Sequence, residues 1–386
     1  MDGDTVWRLQ AIPLTPIHVG DGSSFTPDSY DLRDGKLCRF NPHRVLAAMD
    51  GEDRRRFQQA LDAGRLHEAS GVLRVSATDD LVEECLPIAD TSAAELRKAF
   101  ADTRRYGAVS PFVRTLGQPF LPGSTLKGAL RTAWLSKLAG DTDRAALDRA
   151  VMDGPPKFKA ERAEVALLER QRNRVEQDPL RHLYVEDVRL DGIETRIDRV
   201  VNWRPETAEG EGAEKIQLHV ERLLSAADGV VRGVKFRVRL EDPARQARRR
   251  DLDARRAASR DLTADELWSA LRDFHWRVFD AERARFWSKL DEADRRLSAC
   301  FAFPFGGKPR EEADWRRSKG VALVRIGRFG HFESKSIEGL RSQKRPRTSE
   351  PVSAGRTRMV AECTREGRTA RVPFGWMLLM RLKAPS

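Results

Sequence analysis

The stretch Phe120–Leu135, FLPGSTLKGALRTAWL, decides how this chain is read. A strand-like end runs into Pro-Gly-Ser-Thr, and a helix follows with a lysine in its first turn. Leu126, Ala129, Leu130, Ala133, Trp134 and Leu138 recur at helical spacing and form one apolar face. Gly140 fits the C-terminal stop. Lys127 and Arg131, four apart, share another face. The helix starts near Gly123–Thr125, where free backbone N–H groups and the helix dipole favour an anion. Gly123 lets the backbone approach closely, Ser124 and Thr125 offer hydroxyls, and Lys127 adds a point charge. The lysine precedes the second glycine, Gly128, so neither a nucleotide P-loop nor a G-x-G-x-x-G fingerprint is present. These groups suit a sugar–phosphate backbone held without base reading. A capped helix with a solvated Lys127 is the competing reading.

Working outward, VWRLQAIP (Val6–Pro13) alternates and reads as a strand, and YDLRDGKLCRF (Tyr30–Phe40) reads as a hairpin turning at Asp34-Gly35. Helices are expected near Pro42–Ala63 and near Ser92–Tyr106, the second opened by Ser92 and Glu95 at capping-box spacing. Asp141–Asp178 reads as a charged linker, and HLYVEDVRL (His182–Leu190) as a strand ending in Glu186 and Asp187. KIQLHVERLLSAADGVVRGVKFRVRLE (Lys215–Glu241) reads as two long strands with Asp228-Gly229 between them. A polar run, Asp242–Asp261, precedes a long helix opened by Thr263 and Glu266, whose Trp268, Trp276 and Trp287 are expected in the core. Strands close the chain: KGVALVRIG, RTRMVAEC, ARVPF and WMLLMRL. This order predicts an α+β protein with antiparallel sheets.

Composition bounds the partners. Of 386 residues, 40 % are hydrophobic, enough for substantial cores, and 70 Lys plus Arg against 59 Asp plus Glu give a net charge of +11. That surplus suits a polyanion, and it concentrates between Arg341 and Ser386. No run of about 18 apolar residues and no signal-peptide pattern is present, so a soluble, cytoplasmic protein without membrane contact is expected. Cys38, Cys85, Cys300 and Cys363 stand far apart with no C-x-x-C pair, which predicts reduced, buried thiols.

A second loop, RIGRFGHFESKS (Arg325–Ser336), repeats the chemistry of the first. Gly327 and Gly330 loosen the turn, Arg325, Arg328 and Lys335 bring charge, and Phe329 and Phe332 offer faces for base stacking. Glu333 beside a phosphate is unfavourable unless Arg325 or Lys335 neutralises it. Catalytic patterns are scarce: the seven histidines show no H-x-x-x-H or H-E-x-x-H spacing, and no G-x-S-x-G elbow exists. His18, after the first strand, is the one candidate general base for RNA cleavage.

Three segments in order, LTPIHVGDG (Leu14–Gly22), FLPGSTLKGALRTAWL and VRIGRFGHFESKSI (Val324–Ile337), resemble the RAMP superfamily of CRISPR-associated proteins. The pattern is most similar to the fifth, head-end subunit of type III-A Csm effector complexes. The resemblance implies two ferredoxin-like, RRM-related domains, residues 1–245 and 246–386, with helical insertions. It implies a non-catalytic subunit with no cofactor that holds the 3′ portion of CRISPR RNA (crRNA), close to target RNA, and contributes to its 3′-end maturation. Its implied partners are other Csm subunits, above all the backbone RAMP subunit and the small helical subunit. Carried over by position, the RNA-facing residues are His18, Gly20, Gly22, Gly123, Ser124, Thr125, Lys127, Gly128 and Arg131. Gly327, Gly330, Lys335 and Ser336 follow from the third segment, to which Arg325 and Arg328 add charge. The glycine-rich loop departs from the family in its bulk, at Arg328, His331 and Glu333. The alternatives are a RAMP subunit of the Cmr branch, a metal-independent endoribonuclease acting on CRISPR repeats through His18, and a general basic RNA-binding protein.

Overall fold

A computed structural model of the chain describes residues 4–102, 107–153, 159–204, 218–242, 260–288, 291–341, 343–345, 348–352 and 354–383. Two five-stranded sheets carry the fold. In the first, the strands run in the order Val321–Arg325, Trp376–Arg381, Thr5–Pro13, Val234–Leu240 and Leu183–Val185, antiparallel throughout. The second has the order Arg368–Pro373, Arg358–Arg365, Thr195–Trp203, Leu218–Leu223 and Val109–Ser110, with only the last pair parallel. The α+β class with antiparallel sheets is thus the observed one.

Two 19-residue helices, Gly123–Asp141 and Ala264–Glu282, cover one face of the first sheet. Trp7, Leu9, Phe236, Val238 and Leu379 meet Leu126, Leu130, Trp268 and Leu271 across a small apolar gap. The apolar face expected of the first helix is the buried one, and Trp268, Trp276 and Trp287 are all core. Burial of this size, at about 25 cal/mol per Å² of apolar surface, is the main driving force that holds helix on sheet.

Several expectations are corrected. Each sheet takes strands from both sides of residue 245, so a cut there would divide both sheets; residue 245 itself lies outside the described residues, as does most of the Asp242–Asp261 run. The first strand pairs with the last, Leu9 opposite Arg381, and on its other side with Val234–Leu240 from the middle of the chain. Leu218–Leu223 and Val234–Leu240 are strands but not a hairpin, since they lie in different sheets. Asp228 does not simply turn the chain: its carboxylate takes Arg222, fully buried, at 2.6 Å and caps Ser225 at 3.0 Å. The Asp34-Gly35 hairpin is present, with Arg33 opposite Lys36.

Cys38 and Cys85 are not reduced thiols but a disulfide, 47 residues apart in sequence and directly opposed on the strands Lys36–Phe40 and Val82–Pro87 with a Cα–Cα distance of 4.0 Å. Strand register, invisible in the spacing, brings them together. The Asp141–Asp178 region is not a linker; it forms helices Arg144–Met152 and Lys159–Leu168, which bury Leu147, Leu167 and Leu168. The Ser92–Glu95 capping box is not formed, because that helix spans Asp90–Ala101, two residues further back, and Glu95 pairs with Arg199 at 2.8 Å; Tyr106 lies outside the described residues. The basic C-terminal end is partly internal: Arg358 is buried against Glu282 and Glu333, and Arg381 stacks over Trp7 and Trp268. Arg347 and the side chains of Lys344 and Arg345 lie outside the described residues. No helix among the described residues is long and apolar enough to cross a membrane.

Candidate nucleic-acid interface

The three motif segments meet at one cleft of about 680 Å³. One wall is the start of the Gly123–Asp141 helix, through Ser124, Thr125, Gly128 and Thr132. The second is the loop after the first strand, from Val19 to Ser24, and the third is Arg325–Arg328 with Ser334 and Lys335. Ser110, at the edge of the second sheet, closes the floor.

Backbone bonds lock these segments together. The Arg328 amide donates to the His18 carbonyl at 2.9 Å, and the Val113 amide donates to Val19 at 2.8 Å. Lys335 Nζ donates to the Arg328 carbonyl at 3.0 Å, and Arg328 reaches Ser110 Oγ at 3.2 Å. Gly327 sits at φ +86° with an added Cβ only 2.5 Å from the His18 carbonyl oxygen, so no other residue fits this crossing without displacing backbone. Gly123 is equally constrained: a Cβ there meets the Val185 carbonyl at 2.1 Å, because the helix start rides on the strand Leu183–Val185.

Not every predicted residue reaches the cleft. Gly20, Gly22, Ser124, Thr125, Gly128, Arg325, Gly327, Arg328 and Lys335 line it. Lys127 turns the other way and donates to the Leu183 carbonyl at 2.8 Å, where partial burial lowers its pKa. Arg131, on the same helical face, is held by Asp178 at 2.5 Å and Glu164 at 2.6 Å. These two cations therefore complete the packing behind the helix, off the cleft wall. The Gly123 amide donates to Asp187 Oδ1 at 2.7 Å and the Thr125 amide to the Pro122 carbonyl at 2.9 Å. The expected anion-binding amides are thus occupied, and hydroxyls stand at the wall instead. Gly330 and Ser336 are one layer back, with Ser336 Oγ donating to the Phe332 carbonyl at 2.6 Å. Phe329 is no stacking platform, since it is buried between His18 and Phe374.

His18 is 1 % exposed, donates from Nδ1 to the Glu221 carbonyl at 2.7 Å, and is absent from the wall. Burial, opposed by that hydrogen bond, lowers its pKa to about 4, so the ring is neutral at physiological pH. It braces the loop from behind. Glu221 ties the same region, accepting the Phe112 amide at 2.8 Å and Arg114 at 2.5 Å. Arg325 is also largely spent internally: it pairs with buried Glu282 and donates from Nε to the Phe374 carbonyl at 3.0 Å. Glu333, a liability in the sequence, is turned out of the cleft. It accepts Arg358 at 2.9 Å and the Gly355 amide at 2.8 Å, so Arg358 and not Arg325 or Lys335 is its direct counter-ion. What faces the cleft is a ring of hydroxyls and small residues with two exposed cations, Arg328 and Lys335. Ser23, Ser24, Ser110, Thr132 and Ser334 are wall residues that the sequence reading missed. Thr132 was within reach of it, since it follows Gly128 by four and Thr125 by seven on one helical face.

Three further histidines share the character of His18. Burial depresses His219 to about 4, His275 to about 3 and His331 to about 2, from 6.5 when unfolded. An unfolded chain then binds more protons than the folded one below about pH 6.5, so stability is full above that value and is lost as pH falls towards the folded pKa values. For buried His18, His219 and His275 each proton taken up is worth up to about 1.4 kcal/mol per pH unit in that window. Urea midpoints measured at pH 7.5 and pH 5 are expected to drop markedly; equal midpoints overturn this assignment of neutral buried imidazoles.

The family model of the RAMP superfamily matches residues 12–276, and the chain belongs to that superfamily. Two solved structures share the fold along the whole chain. One is a chain of a cryo-EM structure of a Csm–crRNA–target RNA ternary complex of a type III-A CRISPR-Cas system, with 17 % identity, a TM-score of 0.61, and coverage of 97 % of this chain and 100 % of that one. The other is the crystal structure of Csm5 from T. onnurineus, with 16 % identity, a TM-score of 0.52, and coverage of 95 % and 99 %. No curated protein matches.

Proposed function

We propose that this protein is a non-catalytic crRNA-binding subunit of a type III-A Csm ribonucleoprotein, seated at the head on the 3′ portion of the guide and contributing to assembly and 3′-end maturation. The observation that carries the reading is the convergence of three segments, far apart in sequence, on one open cleft with Arg328 and Lys335 at its mouth. Membership of the RAMP superfamily and full-length likeness to a chain of a Csm–crRNA complex support it. The cleft suits a sugar–phosphate chain: hydroxyls to bond phosphate and ribose oxygens, glycines that admit a close backbone, and little to read a base. The backbone RAMP subunit, the small helical subunit and nearby target RNA are its proposed neighbours. The two RAMP units are read as the two five-stranded sheets, each assembled from both halves of the chain.

Non-catalytic binding is favoured because His18, the one candidate base, is sealed behind the loop and away from the wall. The test is an Arg328→Ala/Lys335→Ala variant of the full chain titrated with crRNA over a range of salt. Affinity should fall for every guide sequence, and the slope of log K against log salt should shrink by about 1.4, that is about 0.7 for each phosphate released by a single strand. Unchanged affinity with an unchanged slope removes the cleft from RNA binding. Cleavage of repeat RNA by the wild type that is lost in His18→Ala overturns the non-catalytic reading.

A further inference from the structure

The first sheet has a second face, opposite its two covering helices; over Leu378, Met380 and Leu323 it is buried, but over Thr5–Gln10, Val234–Leu240 and Tyr184 it is open. Along Val234–Leu240 burial alternates strictly, so Lys235, Arg237 and Arg239 all project outward while Val234, Phe236, Val238 and Leu240 face the core. The register sets Arg239 beside Val6, Arg237 beside Arg8 and Lys235 beside Gln10 on the central strand, with Tyr184 beyond Arg239 on the edge strand. Val6 is 50 % and Tyr184 44 % exposed, and Arg8 is exposed as well. The cations along Val234–Leu240 stand about 7 Å apart, two residues of strand rise.

Among the described residues the carboxylates that reach this face are Glu186, 2.7 Å from Arg237, Asp4, 3.2 Å from Arg239, and buried Glu241, which accepts the Tyr184 hydroxyl at 3.2 Å. The Arg237–Glu186 pair sits in solvent, where such contacts are weak; Asp4 is more enclosed and also accepts the Asp242 amide at 3.2 Å. Among the described residues Arg8 and Lys235 make no ion pair. The Arg239 guanidinium lies over the Tyr184 ring, 4.4 Å from its centroid, which leaves a flat, cationic outer plane. A phosphate-spaced set of cations beside a flat stacking plane matches a single-stranded polynucleotide better than it matches an acidic protein, which would need no stacking plane.

We propose that this open sheet face is a second binding site for single-stranded RNA, with Arg8, Lys235 and Arg237 on phosphates and the Arg239–Tyr184 stack under a base. It goes beyond the cleft, from which it shares no residue. The experiment titrates a short oligouridylate into the full chain at low salt and counts bound oligonucleotides, using Arg8→Glu/Lys235→Glu for the face and Arg328→Ala/Lys335→Ala for the cleft. The face variant is expected to lose one binding event that the cleft variant keeps, and the combined variant to lose both. Arg8→Gln/Lys235→Gln gives the same comparison with milder changes should charge reversal disturb folding, which a thermal melt reports. If both face variants bind as many oligonucleotides as the wild type and as tightly, the proposal is wrong. It is also wrong if they keep all RNA and instead lose co-purifying protein subunits, which makes the face a protein dock. Loss confined to the face variants leaves this site standing and sinks the cleft instead.

Discussion

Glu282→Ala is expected to destabilise the fold by about 3–5 kcal/mol, the cost of stripping one partner from a buried ion cluster. Glu282 is 3 % exposed near the end of the long helix Ala264–Glu282. It accepts Arg325, Arg358 at 2.7 Å and the Trp376 indole N–H at 3.3 Å. Arg325 and Arg358 are 3 % and 2 % exposed, so removing Glu282 leaves two desolvated guanidinium groups with only Glu333 between them. Arg325 is the last residue of an edge strand whose next residues form the cleft, so the same change loosens Gly327 and Arg328. Burial alone would raise the Glu282 pKa, but the two arginines overcome it and hold the carboxyl below its usual 4.5. Its contribution is accordingly complete above about pH 4.5 and is lost as pH falls through the lowered folded value. Denaturant titration checks the first claim. A loss under about 1 kcal/mol would show that the cluster contributes little. A triple variant that replaces Glu282, Arg325 and Arg358 with leucine or methionine is expected to recover most of the loss, because no charge is then left buried.

The motif segments were legible because their chemistry is local. The helix after Pro122 follows from the spacing of Leu126, Leu130 and Trp134, and its packing face came out as read. What the spacing did not contain was the direction of the remaining faces. Lys127 and Arg131 looked like phosphate ligands, yet the strand Leu183–Val185 and the carboxylates Glu164 and Asp178, distant in sequence, claim them. The same holds for the helix start, where Asp187 supplies the anion that was expected from outside. Pairings between remote strands were hidden for a related reason: Cys38 faces Cys85, and Leu9 faces Arg381, through register alone. Alternation in Val234–Leu240 was visible, but which of its faces is open depended on where two helices settle.

Gly327→Ala is expected to have the second large effect, and it separates the architecture of the cleft from its charge. The residue holds φ +86°, which costs a non-glycine residue about 1–2 kcal/mol by itself. Its new Cβ would stand 2.5 Å from the His18 carbonyl, which is backbone and cannot swing aside. That carbonyl also accepts the Arg328 amide at 2.9 Å, so relief of the clash moves the loop away and takes Arg328 with it. Together the strain and the lost packing of His18 against Phe329 should cost more than about 2 kcal/mol of stability. RNA affinity should fall at least as far as in Arg328→Ala, although no charge has been removed. Gly128→Ala is the control on the facing wall. Nothing lies within 4 Å of a Cβ at Gly128, and alanine in an exposed helical position is favoured by about 1 kcal/mol, so this variant should melt no lower than the wild type. If Gly327→Ala keeps both wild-type stability and wild-type crRNA affinity, the close crossing of the two loops does not shape the site, and the three segments meet there without acting together.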